Sequence, residues 1–592
     1  MAHLSENSTR LEISRIEVMS PAQLSCVSAS GDETWFFVCP FDPAQDASAM
    51  PSAWEDALDD FAERASARTT LAILTAPYTA ARLYLAMEGH VYFKLWIAVK
   101  VACGSCGPGK LRQQHAALLI LTRYKESLIH TKTRIGYTYC PSCERTTKDY
   151  GGKKHTYHEY GTLMSDVWRD ICPDPHGVFP KEVAERLADV FGTGPFTKLR
   201  CMDIRSGVRM APCDEGTRRI APIKEGSASN VDEPHILRMG DCLDLLADIE
   251  SDSVDFCFAD PPYNLKKKYE NWHDTLEIQT YFEWCDRWLS GLARIIRPGC
   301  TVAVLNIPLW AIRHFAHLDK MLRFQHWIAW EGLSLPVRMI MPAHYAILCF
   351  SKGEARALPG LRSDLPSDER EELLSLKESY CLRQTCIESR RFQEDDKTPI
   401  TDLWWDIHRL KHNCHRVDHP CQLPPSLMRR LIALFTYPGE RVLDPFNGVG
   451  TTTLSAEQLG RRFIGMELSK YYHEIAERRH AELRRGEDPF RKTNVTPKAK
   501  NSPVARLKKQ TYAVPKKVLQ MDVKRIAGEL GRLPTRAEVE RLSKYPIQYF
   551  DEYFISWGEV CAAARTTGMI EVKRAREQTK AMQQLTLFSD DS

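Results

Sequence analysis

Apolar and polar positions along the chain fall into short blocks of strand and helix length. Val254 to Ala259 is an apolar run that stops at Asp260-Pro261-Pro262-Tyr263. Two prolines cannot continue a strand ladder, so the pattern predicts a strand with this tetrapeptide in the loop at its carboxyl end. A second block predicts a strand ending at Asp444, a turn through Gly448 and Gly450, a helix from Thr451 to Gly460, and a strand from Phe463 to Met466 that ends at Glu467. That order is a βαβ unit, and open α/β sheets bind ligands at the carboxyl ends of their strands. Far downstream, Thr535 and Glu538 have the spacing of a capping box and predict a helix start.

The apolar blocks also repeat. Trp96-Ile97-Ala98 recurs as Trp327-Ile328-Ala329, and HAALLILTR from His115 recurs as HYAILCFSK from His344. SDVWRDI from Ser165 matches TDLWWDI from Thr401, Arg186-Leu187 matches Arg430-Leu431, and Asp203 faces Asp444. Five matches in one order, at offsets between 229 and 244, predict a diverged tandem duplication. Its segments are 1–228 and 229–488, followed by a basic tether over 489–520 and a small helical domain over 521–592.

Composition narrows the picture. A chain of 592 residues exceeds what one core can organise. It is 43% hydrophobic and 27% charged, with no apolar run of the ~18 residues that span a bilayer. The formal charge of +3 excludes a uniformly basic coat for nucleic acid, so a polyanion partner has to meet local clusters. One such cluster is the stretch from Arg491 to Arg525, with eleven Lys or Arg against one Asp. It suits phosphate contact, and a solubilising linker has the same composition. The opening segment has no apolar signal core, so the 19 cysteines are expected to be reduced thiols or metal ligands in a cytoplasmic setting.

The chemistry concentrates in the second half. An acid beside two prolines is a rigid acceptor array for an amino group, and Tyr263 offers a ring face for stacking. Asp-Pro-Pro is also an ordinary turn. In the second block, Gly448 and Gly450 allow close backbone approach, and Glu467, 23 positions beyond Asp444, stands where nucleoside-binding folds place a ribose ligand. A merely structural glycine loop is the competing reading.

Together, DPPY at Asp260 to Tyr263, DPFNGVGTT at Asp444 to Thr452, HPCQLPPSLMRRLI from His419, and Gly240-Asp241 resemble the beta-class DNA amino-methyltransferases. The resemblance implies a Rossmann-like α/β sheet, S-adenosylmethionine as cofactor, double-stranded DNA as partner, and a recognition segment at about 353–413. It implies that Asp260 and the Pro261 carbonyl accept hydrogen bonds from the exocyclic amine of a flipped base while Tyr263 stacks on it, with Pro262 completing the motif. Asp444, Phe446, Gly448, Gly450 and Thr451 would form the cofactor loop, Glu467 would hold the ribose, and Asp241 would reach the adenine. The leading Asp favours N6 of adenine; N4 of cytosine, an RNA substrate and a catalytically inactive DNA-binding scaffold remain alternatives. Methylation of a protein glutamine is disfavoured, because that relationship predicts Asn at position 260. A cognate restriction or defence partner fits such a family, and the oligomeric state is open.

The first copy has lost this chemistry in sequence: Arg209 stands at the position of Gly450, and the nearest match to DPPY is Thr75-Ala76-Pro77-Tyr78. It carries Cys103-x-x-Cys106 and, after an intervening stretch of 33 residues, Cys140-x-x-Cys143, the paired knuckles of a structural four-thiolate zinc ribbon. A second site drawn from Cys381, Cys386, Cys414 and His412 or Cys421 has irregular spacing, and scattered thiols are the preferred reading there. Leu530-Gly531, Pro534-Thr535 and Phe554-x-Ser556-Trp557 resemble a repeat attached to some homing endonucleases, with no nuclease constellation beside it.

Overall fold

The computed structural model describes residues 17–27, 33–40, 52–102, 109–125, 133–146, 161–174, 177–191, 198–205, 235–264, 276–332, 340, 343–378, 381, 383, 386, 390, 397–410, 417, 419, 421–490, 514, 516–554 and 557–562. Met1–Asn501 form one compact unit and Ser502–Ser592 a second. Among the described residues no helix is long and apolar enough to cross a membrane.

The first half supplies β1 (Glu17–Val18), β2 (Glu33–Val38), β3 (Thr70–Thr75), β4 (Tyr92–Lys100), β5 (His115–Thr122), β6 (Arg134–Ile135), β7 (Tyr139–Cys140), β8 (Arg145–Thr146), β9 (Thr162–Leu163), β10 (Val167–Trp168) and β11 (Lys198–Asp203). The second half supplies β12 (His235–Met239), β13 (Val254–Ala259), β14 (Ile296–Asn306), β15 (Arg323–Trp330), β16 (Tyr345–Ser351), β17 (Leu374–Leu376), β18 (Lys397–Pro399), β19 (Leu403–Trp404), β20 (Arg441–Asp444) and β21 (Arg462–Glu467).

Two large sheets result, ordered β1-β11-β2-β3-β5-β4-β10 and β12-β21-β20-β13-β14-β16-β15-β19. Read from the β10 and β19 ends, the two orders coincide strand for strand through β11 and β20. In each, one strand (β5 or β16) runs antiparallel to both neighbours. A register shift falls between Phe93 and Leu95 in β4 and between Phe324 and His326 in β15, the same place in both. The central strands β2 and β13 are buried along their whole length, as parallel strands covered on both faces must be.

The sheet order fixes where the crevice lies. From β13 the chain runs through helix Ile278–Ile295 to β14 on one side, whereas β20 leads through helix Thr451–Gln458 to β21 on the other. Helix Ile278–Ile295 buries Tyr281, Cys285, Trp288, Leu289 and Leu292, one apolar stripe at three- and four-residue spacing. The carboxyl ends of β13 and β20 therefore open at a topological switch point, where α/β sheets take ligands.

The halves meet face to face, and some of the contacts between them are matched by their exchange. Trp96 and Trp327 stack with ring centroids 4.3 Å apart. His115 Nδ1 lies 2.9 Å from Asp402 Oδ2, and His344 Nδ1 lies 3.1 Å from Asp166 Oδ2. The second carboxylate oxygen of each acid accepts a backbone N–H from the opposite half, Gln114 to Asp402 at 2.6 Å and Ala343 to Asp166 at 2.7 Å. Helix Pro77–Met87 packs on helix Pro308–Leu318, with Tyr78 5.3 Å from Phe315. This is the geometry of a two-fold dimer interface, built within one chain.

The sheet order also corrects one expectation. Thr75-Ala76-Pro77-Tyr78 follows β3, whose counterpart is β14, so it corresponds to Asn306-Ile307-Pro308-Leu309 and not to DPPY. The resemblance of Pro-Tyr to Pro-Tyr misled because both lie at strand ends.

In the second unit, helices Lys516–Leu530, Arg536–Leu542, Ile547–Tyr553 and Trp557–Ala562 close over Leu519, Val523, Val539, Phe550 and Val560. Thr535 and Glu538 form the capping box in both directions. The first helix begins at Lys516, so helix occupies the end of the segment read as tether; residues 491–513 lie outside the described set.

Candidate active site

The DPPY loop leaves β13 and is braced from outside. The Tyr281 hydroxyl donates to the Pro262 carbonyl at 2.8 Å, and Trp310 Nε1 donates to the Tyr263 carbonyl at 2.9 Å. Asn264, in left-handed backbone at φ 55°, ties the loop's end to Leu276 by two 2.8 Å hydrogen bonds. Among the described residues no donor reaches the Pro261 carbonyl. The Tyr263 hydroxyl donates to Asp260 Oδ1 at 2.8 Å, and its ring is buried.

The glycine turn after β20 is equally constrained. Gly448 and Gly450 have φ of 52° and 82°, which side chains rarely adopt. A Cβ at Gly450 would stand 3.1 Å from the Ala476 Cβ, and one at Gly448 would stand 3.2 Å from His419 Nε2. Glu467 Oε2 accepts the Gly448 N–H at 2.8 Å and its Oε1 accepts the Ser469 N–H at 2.7 Å, which locks the acid at the end of β21. Asp444 Oδ1 accepts the Phe446 N–H at 2.8 Å. Burial pushes the Asp444 carboxyl up to about 7; the Thr452 hydroxyl and Phe446 N–H pull it back, and the nearby charges of Asp260 and Glu467 add to the rise. Asp241 caps helix Cys242–Ala247 by accepting the Leu243 N–H at 2.9 Å.

Two recesses meet over these loops. The larger, an open cleft of ≈ 790 Å³, is walled by Asp241, Trp284, Phe446, Gly448, Glu467 and Tyr472 and reaches Asp260. Asp444, Gly450 and Thr451 are not among the residues that line it; Asp444 lies beneath and positions Phe446, whose ring contacts Trp284 and Trp288. The smaller recess, ≈ 330 Å³, is lined by Asp260, Pro261, Tyr263, Trp330, Tyr345 and Arg409. Trp330 stacks on Tyr345 at 5.3 Å. Asp260 and Cys421 border both spaces, so one carboxylate faces an acid-bearing cleft and an aromatic pocket at once.

Residues 254–478 match the family model described as DNA methylase. This stretch is similar to DNA methylases. Its relatives include the type II methyltransferase M.BamHI of Bacillus amyloliquefaciens, 32% identical over 237 residues, which cover 39% of this chain and 53% of that protein. The DNA adenine methyltransferase YhdJ of Escherichia coli (strain K12) is 25% identical over 266 residues, 40% of this chain and 80% of that protein. A solved structure of the PvuII DNA methyltransferase, cytosine-N4-specific, is 17% identical and covers 44% of this chain and 90% of its own, with a TM-score of 0.32. The chain thus spans about half the length of M.BamHI, and the matched stretch leaves out the first half and Asp241.

Compared with the matched stretch, the described residues of the first half differ at several corresponding points. Where β13 ends at Asp260, β2 ends at Val38-Cys39-Pro40, without a carboxylate. At the place of Asp444, Asp203 is held by Arg205, whose Nε donates to Oδ1 at 2.9 Å and Nη2 to Oδ2 at 2.8 Å. Trp330 and Tyr345 are replaced by Val99 and Ala116 in the matching blocks. Arg209 lies outside the described residues.

Trp330, Tyr345 and Arg409 were missed by sequence reasoning, because Trp330 and Tyr345 sit inside strands that read as core. The repeat held the signal: WIAW against WIAV, and HYAIL against HAALL. The expected zinc ligands also divide differently. Cys103 and Cys106 lie outside the described residues, and the thiols that face Cys140 and Cys143 are Cys381 and Cys386.

Proposed function

We propose that the chain is a DNA amino-methyltransferase that transfers a methyl group from S-adenosylmethionine to the exocyclic amine of a base flipped out of double-stranded DNA, with N6 of adenine the favoured acceptor. The observation that carries this reading is the placement of Asp260 between the cleft and the aromatic pocket.

The cleft suits a cationic nucleoside. Carboxylates of Asp241 and Glu467 and rings of Trp284, Phe446 and Tyr472 line it, and left-handed Gly448 keeps its wall flat. When bound, S-adenosylmethionine supplies an electrophilic methyl group. Tyr263, Trp330 and Tyr345 give the flipped base apolar faces, and flipping is required because an exocyclic amine inside the stack is out of reach. The two amine N–H groups would donate to Asp260 and the Pro261 carbonyl. This directs the nitrogen lone pair toward the cleft, and orientation rather than proton abstraction supplies much of the acceleration. The braces from Tyr281 and Trp310 hold the acceptors in place before substrate arrives.

The matched strand orders and exchanged interface contacts support reading the first half as a diverged copy without catalytic function. The basic tether and terminal helices are read as further DNA contacts, and a restriction partner remains a proposal on the same footing. Mass spectrometry of DNA from expressing cells tests the reading. N6-methyladenine absent in an Asp260→Ala control is the expected result, N4-methylcytosine would move the acceptor to cytosine, and neither base above control would overturn it.

A further inference from the structure

The four thiols of Cys140, Cys143, Cys381 and Cys386 converge on one point at the boundary between the halves. All four Sγ atoms lie within 4.8 Å of one another, with Cys140 to Cys386 at 3.9 Å and Cys143 to Cys381 at 3.8 Å. We propose that they form a tetrahedral four-thiolate site for a structural zinc ion that ties the first half to the methylase domain.

The spacing decides between alternatives. Sulfurs bonded to each other stand about 2.05 Å apart, so these are not disulfides. Around one zinc with Zn–S bonds of about 2.3 Å, tetrahedral geometry sets the sulfurs roughly 3.8 Å apart. The closest cross-half pairs have that separation. Two packed thiols touch at a similar distance, so the convergence of all four sulfurs within 4.8 Å, more than any one pair, points to an ion.

The surroundings suit thiolates. The Cys140–Cys143 pair sits on the hairpin of β7 and β8, whose turn is closed by Glu144 at φ 52°. A two-residue gap on such a turn directs both sulfurs to one side. From the other half, the Cys381 N–H donates to Cys140 Sγ at 3.4 Å. The guanidinium of Arg390, buried at 1% exposure, donates to Cys386 Sγ at 2.7 Å and to the Cys381 carbonyl at 3.2 Å. Four thiolates on a divalent ion leave a net negative site, and a buried arginine is the complementary group.

The position is informative as well. Each half contributes two ligands, as expected of a site on the approximate two-fold axis that pairs Trp96 with Trp327. The ligands are 238 and 246 residues apart across the closest pairs, so no sequence-local ribbon accounts for them. The ion would anchor the segment carrying Cys381 and Cys386, within the expected recognition region, to the hairpin of the first half. The Lys100 to Glu378 ion pair, at 2.6 Å, spans the same seam.

Elemental analysis of the purified full chain tests this. Wild-type protein is expected to hold one zinc per chain; Cys381→Ser/Cys386→Ser and Cys140→Ser/Cys143→Ser should each lose it, and Cys103→Ser/Cys106→Ser should keep it. Zinc retained by the Cys381→Ser/Cys386→Ser protein, or lost from the Cys103→Ser/Cys106→Ser protein, would overturn the assignment, as would wild-type protein without metal. Because the serine variants can fail to fold, cobalt exchange into wild type and Cys386→His provides a second measurement. A tetrahedral thiolate spectrum that shifts in Cys386→His supports the site, and an unshifted spectrum counts against it.

Discussion

The Tyr263 hydroxyl donates to the Asp260 carboxylate at 2.8 Å, so the stacking residue and the acceptor residue of the DPPY loop hold one another before a base arrives. A charge-assisted hydrogen bond of this kind contributes roughly 1.5–3 kcal/mol. Tyr263→Phe keeps the ring and releases the carboxylate. Single-turnover kinetics should show the methylation step slowed on the order of tenfold to a hundredfold, with S-adenosylmethionine affinity unchanged. An unaltered rate would mean that the hydroxyl does not position Asp260.

Tyr345 should matter for DNA and not for cofactor. It lines only the smaller recess, and base stacking on an aromatic ring contributes ~1–3 kcal/mol. Tyr345→Ala is expected to raise KM for DNA about tenfold or more while isothermal titration finds the cofactor affinity intact. Equal losses on both axes would place Tyr345 in general packing.

Asp444 gives a pH prediction with a definite sign. Its folded pKa, about 7, lies above the ordinary 3.8, so folding takes up a proton between those values. The penalty is absent below the unfolded pKa, grows as pH rises toward about 7, and is constant above. Asp444→Asn should therefore raise stability at pH 8, by about 1–4 kcal/mol, with little gain near pH 4. Thermal unfolding at the two values checks it, and a variant less stable at pH 8 refutes the assignment.

Cofactor stoichiometry should be one per chain. Arg205 occupies Asp203 and β2 ends without an acid, so the described residues of the first half do not repeat the site proposed for the second. A titration that saturates at two equivalents would show the first half to be competent.

The seam between the halves should fail from either side. Leaving a buried polar group without its partner costs ~1–3 kcal/mol. Asp402→Ala strands His115, Asp166→Ala strands His344, and both histidines are wholly buried. Comparable losses in urea unfolding are expected; two neutral substitutions would mean that the exchanged pairs do not hold the halves together.

The legible parts of the chain were those governed by local chemistry. Two prolines after an apolar run placed Asp260 at a strand end, and two glycines marked a turn that the backbone angles of Gly448 and Gly450 require. What was hidden depended on register and on distance along the chain. Tyr78 matched Tyr263 by neighbours yet belonged to a different strand, because only the sheet order says which strand ends correspond. Cys143 meets Cys381 across 238 residues, and spacing rules for knuckles are silent on partners that far apart. Trp330 and Tyr345 followed the apolar rhythm of β15 and β16, so nothing local separated a pocket wall from core.

The stacked pair Trp96 and Trp327 marks a seam with an evolutionary consequence. In an assembly of identical subunits every substitution is made in both copies at once, so an acid needed in one cannot vanish from the other. On the duplication proposed above, joining the copies in a single chain lifts that restriction. Val38-Cys39-Pro40 can stand on one side of the seam while Asp260 persists on the other, and each half is free to specialise toward a different neighbour.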